Sequence, residues 1–239
     1  MSVSTLMGKK SMPESRKPIL YVVAMPIGNP KDITMRALDV LKEADILICE
    51  ERKIGFRYRS AYGLTQEWEL LNEHDQMEQS LAILQKMKNE KKSAALVSDA
   101  GTPLFADPGS FLVSLCRNEG IPVVPVPGAS SIMAALMASG LELKRFMYYG
   151  FLPANREERI QALKKVKIYS DWDIVFLETP YRLKAFLQDL GKVLGLNRKG
   201  ILAYRLTFPE EQILEGSLES LIHKAESLPK GEFVFILKK

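Results

Sequence analysis

Residues 94–109 read AALVSDAGTPLFADPG. The apolar run Ala94 to Val97 has the composition of a short buried strand. It breaks abruptly into Ser98, Asp99, Gly101, Thr102 and Pro103, and a second turn, Asp107-Pro108-Gly109, is placed to open a helix. In an open α/β sheet, ligands bind just beyond the carboxyl ends of the strands. Small residues there let backbone N–H and C=O groups come close to a ligand. Two Gly, two Pro and two Asp within residues 99–109 exceed what a simple strand-to-helix corner requires, so a ligand loop is expected.

Working outward, apolar runs at 19–25, 45–50, 93–98 and 121–126 also read as strands, with helical patterns between them. ITMRALDVLKEA (33–44) puts Ile33, Ala37, Leu38 and Leu41 on one stripe, with Asp32 or Thr34 near the cap. Residues 77–92 place Leu81, Leu84 and Met87 at helical spacing and end in cations, which suit a helix C-terminus. Such alternation implies a mostly parallel sheet covered on both faces. After the Ala-rich helix at 129–140, the short charged connection 141–146 marks a boundary. In the second half, helices are expected at 155–167, 181–194 and 218–227. GILAYRL and EEQILEGS lie so close together that a hairpin, and hence a mixed sheet, follows. The fold class is therefore α/β, with an N-terminal domain over 19–140, a C-terminal domain over 146–239 and a mobile polar tail over 1–18.

The bulk properties agree. A 239-residue chain suits two modest α/β domains, and 46% apolar against 26% charged residues is the balance of a folded, non-membrane protein. No apolar run is long enough to span a bilayer, and the N-terminus lacks a signal-peptide core, so a cytoplasmic protein is expected. Cys49 and Cys116 do not make a disulfide framework, and with only His74 and His223 no zinc or other metal site is expected. A net charge of +4 permits an anionic partner without requiring one.

Several strand ends carry small or turn-forming residues: Pro26 to Pro30, Ser98 to Pro103, Pro127 to Ser131, Gly150 to Pro153 and Glu178 to Arg182, while the second strand ends in Glu50-Glu51-Arg52-Lys53. Their convergence on a cleft between two domains would suit a small-molecule enzyme. The chain has no GxGxxG, GxxxxGK[ST] or GxSxG motif, which removes ordinary dinucleotide, phosphate-loop and hydrolase readings. Glu50 and Glu51 are adjacent and point to opposite faces if extended, a poor arrangement for a glycosidase-type pair.

The segments PIGNP-x-DIT-x-RAL-x-VL (26–41), ALVSDAGTP-x-x-x-DPG (95–109), VVPVPG-x-S (123–130) and GFLP (150–153) closely resemble the ribosomal RNA small-subunit methyltransferase I family. This is a branch of the tetrapyrrole methylase superfamily, and the resemblance covers 19 to about 238. It implies two α/β domains, S-adenosylmethionine held in the cleft, a homodimer, and methyl transfer to a ribose 2′-hydroxyl of ribosomal RNA.

By position, the resemblance assigns Pro26, Asp99, Ala100, Gly101, Thr102, Phe105, Ser130 and Ser131 to the cofactor. From the second domain it adds Phe151, Leu152, Tyr181 and Ala203, although Phe151 and Tyr181 read equally as core aromatics. The chain also departs from the family. The usual E-D-T-R becomes Glu50-Glu51-Arg52-Lys53, H-D-H-N-E becomes Asn72 to Gln76, and A-R-E-L-T-K becomes Ala203 to Phe208. These changes fall on the acceptor side.

A hydroxyl acceptor must lose its proton, and Glu50, Glu51, His74 and Asp99 are the available bases, with Glu50 also placed to cap the next helix and Asp99 to hold its loop. Glu50 and Glu51 are the catalytic candidates. Loop 50–62, EERKIGFRYRSAY, holds four cations and three aromatics, and Arg52, Lys53, Arg57 and Arg59 are the expected contacts to RNA phosphates. The alternative is a tetrapyrrole methylase-like enzyme acting on a small molecule or a protein, with those cations simply solvated.

Overall fold

The computed structural model describes residues 17–105, 107–142 and 144–239; of the tail expected over 1–18, only Lys17 and Pro18 fall within them. The chain forms two compact units that do not follow chain order. Among the described residues, one comprises 17–23, Met35–Asp99 and Asp107–Val126, and the other Ala24–Thr34, 100–105 and the described part of Pro127–Lys239. The connection at 141–146, expected as the boundary, lies inside the second unit, whose last segment runs from Pro127 to Lys239.

The first unit carries β1 (Leu20–Val23), α1 (Met35–Glu43), β2 (Ile46–Cys49), α2 (Arg52–Tyr62), β3 (Glu67–Leu70), α3 (Gln76–Asn89), β4 (Ala94–Val97), α4 (Ser110–Asn118) and β5 (Val123–Val126). Its strands pair in parallel in the order β3-β2-β4-β1-β5. Every residue of β2 and β4 is buried, which is why these strands read as unbroken apolar runs. The connection from β1 leads to β2 on one side, and that from β4 leads to β5 on the other. The carboxyl ends of β1 and β4 thus form the topological switch point, where this sheet type binds ligands.

Several expectations need correction. Residues 50–62 are not a loop: Arg52 onward is helix α2. β3 was not expected; its sequence EWEL is an edge strand whose Glu67 and Glu69 pair with Lys86. Leu81 is 45% exposed, and the buried stripe of α3 is instead Ser80, Ile83, Leu84 and Met87. Asn29 caps a short 3-10 turn at Pro30–Asp32 by accepting from the Lys31 N–H, and Thr34 directly precedes the first residue of α1.

The second unit carries α5 (Ser131–Ala138), β6 (Phe146–Phe151), α6 (Arg156–Val166), β7 (Asp173–Glu178), α7 (Leu183–Leu194), β8 (Lys199–Tyr204), β9 (Gln212–Ser217), α8 (Leu218–Ala225) and β10 (Phe233–Leu237). The sheet order is β6-β7-β10-β8-β9, with β6 and β7 parallel and the other pairs antiparallel. The β8–β9 pair is the expected hairpin. Alternating side chains build a core on each face. Phe176, Leu202 and Phe235 meet α7 through Phe186, while Val175, Ile201, Val234 and Ile236 meet α5 through Ile132 and Leu136.

Among the described residues, no helix is long and apolar enough to cross a membrane. Cys49 and Cys116 are buried free thiols, each pushed up to about 11, chiefly by burial, and so are not nucleophiles.

Candidate functional site

In the second unit, four loops are knitted by short polar contacts. Met25 and Gly101 form an isolated antiparallel bridge that joins the loops leaving β1 and β4. The Thr102 hydroxyl donates to the Ala129 carbonyl at 3.0 Å, tying in the loop after β5. The Asn29 N–H donates to Thr207 Oγ1 at 2.9 Å, adding the turn after β8. A Cβ on Gly28 would lie 2.6–2.7 Å from Phe208, Leu206 and Thr207 atoms, so only glycine fits there. Gly101 has φ +76°, and a Cβ would sit 3.0 Å from Ile27.

The turn after β8 is strained in a way sequence reasoning missed. Arg205 (φ 48°) and Thr207 (φ 66°) both adopt the left-handed region, which non-glycine residues enter at a cost. Arg205 stacks over Phe208 and pairs loosely with Glu210 at 3.5 Å. No residue type in 205–207 signals this backbone.

The loops after β6 and β7 are fixed to one another. The buried Arg159 bonds Asp189 at 3.0 Å and donates to the Pro153 and Ala154 carbonyls. Arg182 bonds Glu178 at 2.8 Å and also reaches the Pro153 carbonyl at 3.3 Å.

The residues expected at the cofactor divide by exposure. Phe105, Phe151 and Tyr181 are 54%, 43% and 77% exposed, so none is a core aromatic. Phe105 meets Tyr148 edge-on, and Lys230 Nζ sits 3.5 Å over the Tyr181 ring. Ser130 caps α5 through the Met133 N–H, and Ser131 is half-buried at its first turn. Pro26, Leu152 and Ala203 are buried, and Ala203 is paired inside β8, so neither Leu152 nor Ala203 presents a side chain at the surface.

In the first unit, the chemistry centres on Asp99. Its carbonyl accepts from Tyr58 Oη at 2.7 Å and from Arg57 Nη2 at 3.0 Å. Its Oδ1 is buried with no hydrogen-bond partner. Burial, and then the charge of Glu51, push the Asp99 carboxyl up against the opposing effect of Arg57. Asp107, which the sequence places only in the turn before a helix, is pushed up to about 6 by burial and then by Asp99. Glu50 is half-buried and raised by burial, Asp99, Asp107, Glu51 and Glu73. It does not cap α2. That position is taken by Glu51, which is exposed and whose side chain makes no cap bond. His74 is exposed.

The four expected RNA contacts also divide. Arg57 is turned onto the Asp99 carbonyl and the Tyr58 ring. Arg52, Lys53 and Arg59 are exposed and have no ion pair among the described residues. Among those residues no group of three or more His, Cys, Asp or Glu is placed to hold a metal ion.

Comparison with known proteins gives this arrangement a context. The profile of the tetrapyrrole (corrin/porphyrin) methylases matches residues 19–222. The chain is 38% identical to a Haemophilus influenzae protein named ribosomal RNA small subunit methyltransferase I, covering 92% of this chain and 78% of that one. A Halalkalibacterium halodurans protein of the same name is 39% identical, with 93% and 76% covered. The fold matches a crystal structure of uroporphyrin-III C-methyltransferase from Thermus thermophilus complexed with S-adenosyl homocysteine. Here the TM-score is 0.59 at 20% identity, covering 93% of this chain and 97% of that one.

Proposed function

We propose, for a chain that belongs to the tetrapyrrole methylase family and is an S-adenosylmethionine-dependent methyltransferase, that the acceptor is a ribose 2′-hydroxyl in small-subunit ribosomal RNA. The observation that carries the ribosomal RNA part of this reading is similarity over nine-tenths of the chain to proteins named ribosomal RNA small subunit methyltransferase I. Arg52, Lys53 and Arg59, exposed and without an ion pair among the described residues, support it, because they match a phosphate backbone.

The residues present fit the cofactor. Gly101 holds a left-handed backbone that a side chain would strain, with Ile27 3.0 Å from where a Cβ would sit, and Phe105, Phe151 and Tyr181 offer exposed rings suited to an adenosine. The orphaned Asp99 Oδ1 is an acceptor suited to an ammonium group. Pro26, Ala100, Thr102, Ser130 and Ser131 complete the proposed set, with Leu152 and Ala203 limited to backbone contact. When bound, S-adenosylmethionine supplies a methyl group on a positively charged sulfur.

The chain's own task is to position the acceptor hydroxyl and take its proton. Positioning contributes up to about 7–11 kcal/mol in well-oriented reactions. Glu50 takes the proton. Its half-buried carboxylate beside Asp99 and Asp107 is a stronger base than an exposed one, whereas Glu51 contributes charge alone. Arg57 and Tyr58 hold the Asp99 backbone.

The proposal includes a cytoplasmic homodimer. Met133 and Met137, 55% and 85% exposed one turn apart on α5, supply apolar surface for it, while Met147 and Tyr149 are packed against the core. Light scattering at micromolar concentration should return twice the 26.9 kDa chain mass.

The acceptor is tested by incubating the protein and methyl-labelled cofactor with small subunits lacking the modification, naked ribosomal RNA and a metabolite extract. Label should enter ribosomal RNA. Label confined to small molecules or protein would leave a methyltransferase with a different acceptor.

A further inference from the structure

Helix α2 buries Gly55 and Tyr58 on its inner side. On its outer side lies Phe56, 63% exposed and with no ring or cation contact among the described residues. Three cations surround it at one-turn spacing: Arg52 four residues before, Lys53 three before and Arg59 three after. Side chains at these intervals are neighbours on a helix surface. At about 100° per residue, Arg52 and Arg59 fall on one flank of Phe56 and Lys53 on the other.

Phe56 therefore lies at the centre of a face whose neighbours at one-turn spacing are cations. These cations have no carboxylate partner among the described residues, and with the exposed ring between them they are complementary to a polyanion that carries flat apolar groups. Double-stranded RNA keeps its bases stacked away from such a ring, whereas unpaired nucleotides present both phosphates and base faces.

Resting on the ribosomal RNA reading above, we propose that the outer face of α2 binds a single-stranded RNA segment. Arg52, Lys53 and Arg59 take successive phosphates, and an unstacked base lies on Phe56. Arg57 has no part in this surface, because its guanidinium is committed to the Asp99 carbonyl.

The test is fluorescence anisotropy of a short unpaired oligoribonucleotide, and of a duplex of the same sequence, across a salt series. The proteins are the wild type, Phe56→Ala, Phe56→Trp and Arg59→Gln, each checked for folding by circular dichroism. The single strand should bind more tightly, with log affinity falling against log salt at a slope of about −2 for three phosphate contacts. Phe56→Ala should weaken binding on the order of ten-fold with the slope unchanged, and Phe56→Trp should restore it. Arg59→Gln should flatten the slope by about 0.7. Equal affinity for the duplex, or wild-type affinity in Phe56→Ala, overturns the proposal. The readout is independent of methyl transfer: this binding profile without methylation of ribosomal RNA would remove the acceptor assignment and leave the surface in place.

Discussion

Met25 and Gly101 exchange both of their backbone hydrogen bonds: the Met25 N–H donates to the Gly101 carbonyl at 2.8 Å, and the Gly101 N–H donates to the Met25 carbonyl at 3.0 Å. This pair joins the two loops that leave the switch point of the first sheet, and it requires a left-handed residue at 101. Gly101→Val should therefore act twice, through backbone strain of about 1–2 kcal/mol and through a collision with Ile27. We expect a lowered midpoint in denaturant and loss of S-adenosylhomocysteine binding by calorimetry. Wild-type affinity in this variant would remove the loop from the cofactor site.

Arg57 and Arg59 are two residues apart, yet their variants should behave oppositely. Arg57→Ala removes a bond to the Asp99 carbonyl and should cost about 1 kcal/mol of stability while leaving the salt dependence of RNA binding intact. Arg59→Ala should leave stability within about 0.5 kcal/mol and change the salt dependence. Paired urea melts and binding titrations would separate them.

Asp107 should make stability fall as pH rises. Its carboxyl titrates near 6 in the fold against an ordinary 3.8, so the fold favours the neutral form. The stabilisation this gives is fully present below about pH 4 and is lost as pH rises through about 6. Relative to the wild type, Asp107→Asn should gain on the order of 2 kcal/mol between those limits. Chemical denaturation at several pH values measures it, and parallel pH profiles for the two proteins would contradict it.

Glu50→Gln should lower kcat by about 10²–10⁴ with cofactor affinity unchanged, as expected for loss of a proton acceptor. Glu51→Gln, at an exposed position, should cost less than about ten-fold. In the wild type, kcat should fall on acidification through a pKa above the usual carboxylate range, since burial and neighbouring acids raise Glu50. Equal losses in both variants would take the assignment away from Glu50.

The alternating strands and helices and the ligand loops at strand ends are legible in the sequence because buried parallel strands and tight turns each have a strong composition. β3 is not, since half of EWEL is acidic and the strand is held at an edge by pairing and by Lys86. α2 reads as a loop because Gly55 lies within it and glycine disfavours helix. The reason for that glycine is tertiary: a Cβ would lie 3.0 Å from the Trp68 ring. Spacing shows four cations on 50–62, but only the fold separates Arg57, bonded to the Asp99 carbonyl, from the other three. The raised Asp107 and the strained Arg205 and Thr207 depend on burial and backbone angles that no local pattern encodes.

The central claim is tested most directly by the chemical form of the transferred methyl group. Small subunits lacking the modification would be treated with the protein and labelled S-adenosylmethionine, the ribosomal RNA digested to nucleosides, and the label located by mass spectrometry. The account predicts label in a 2′-O-methylated nucleoside, abolished by Gly101→Val and reduced by Glu50→Gln. Label on a base, or none in RNA while a metabolite or protein is methylated, would contradict it.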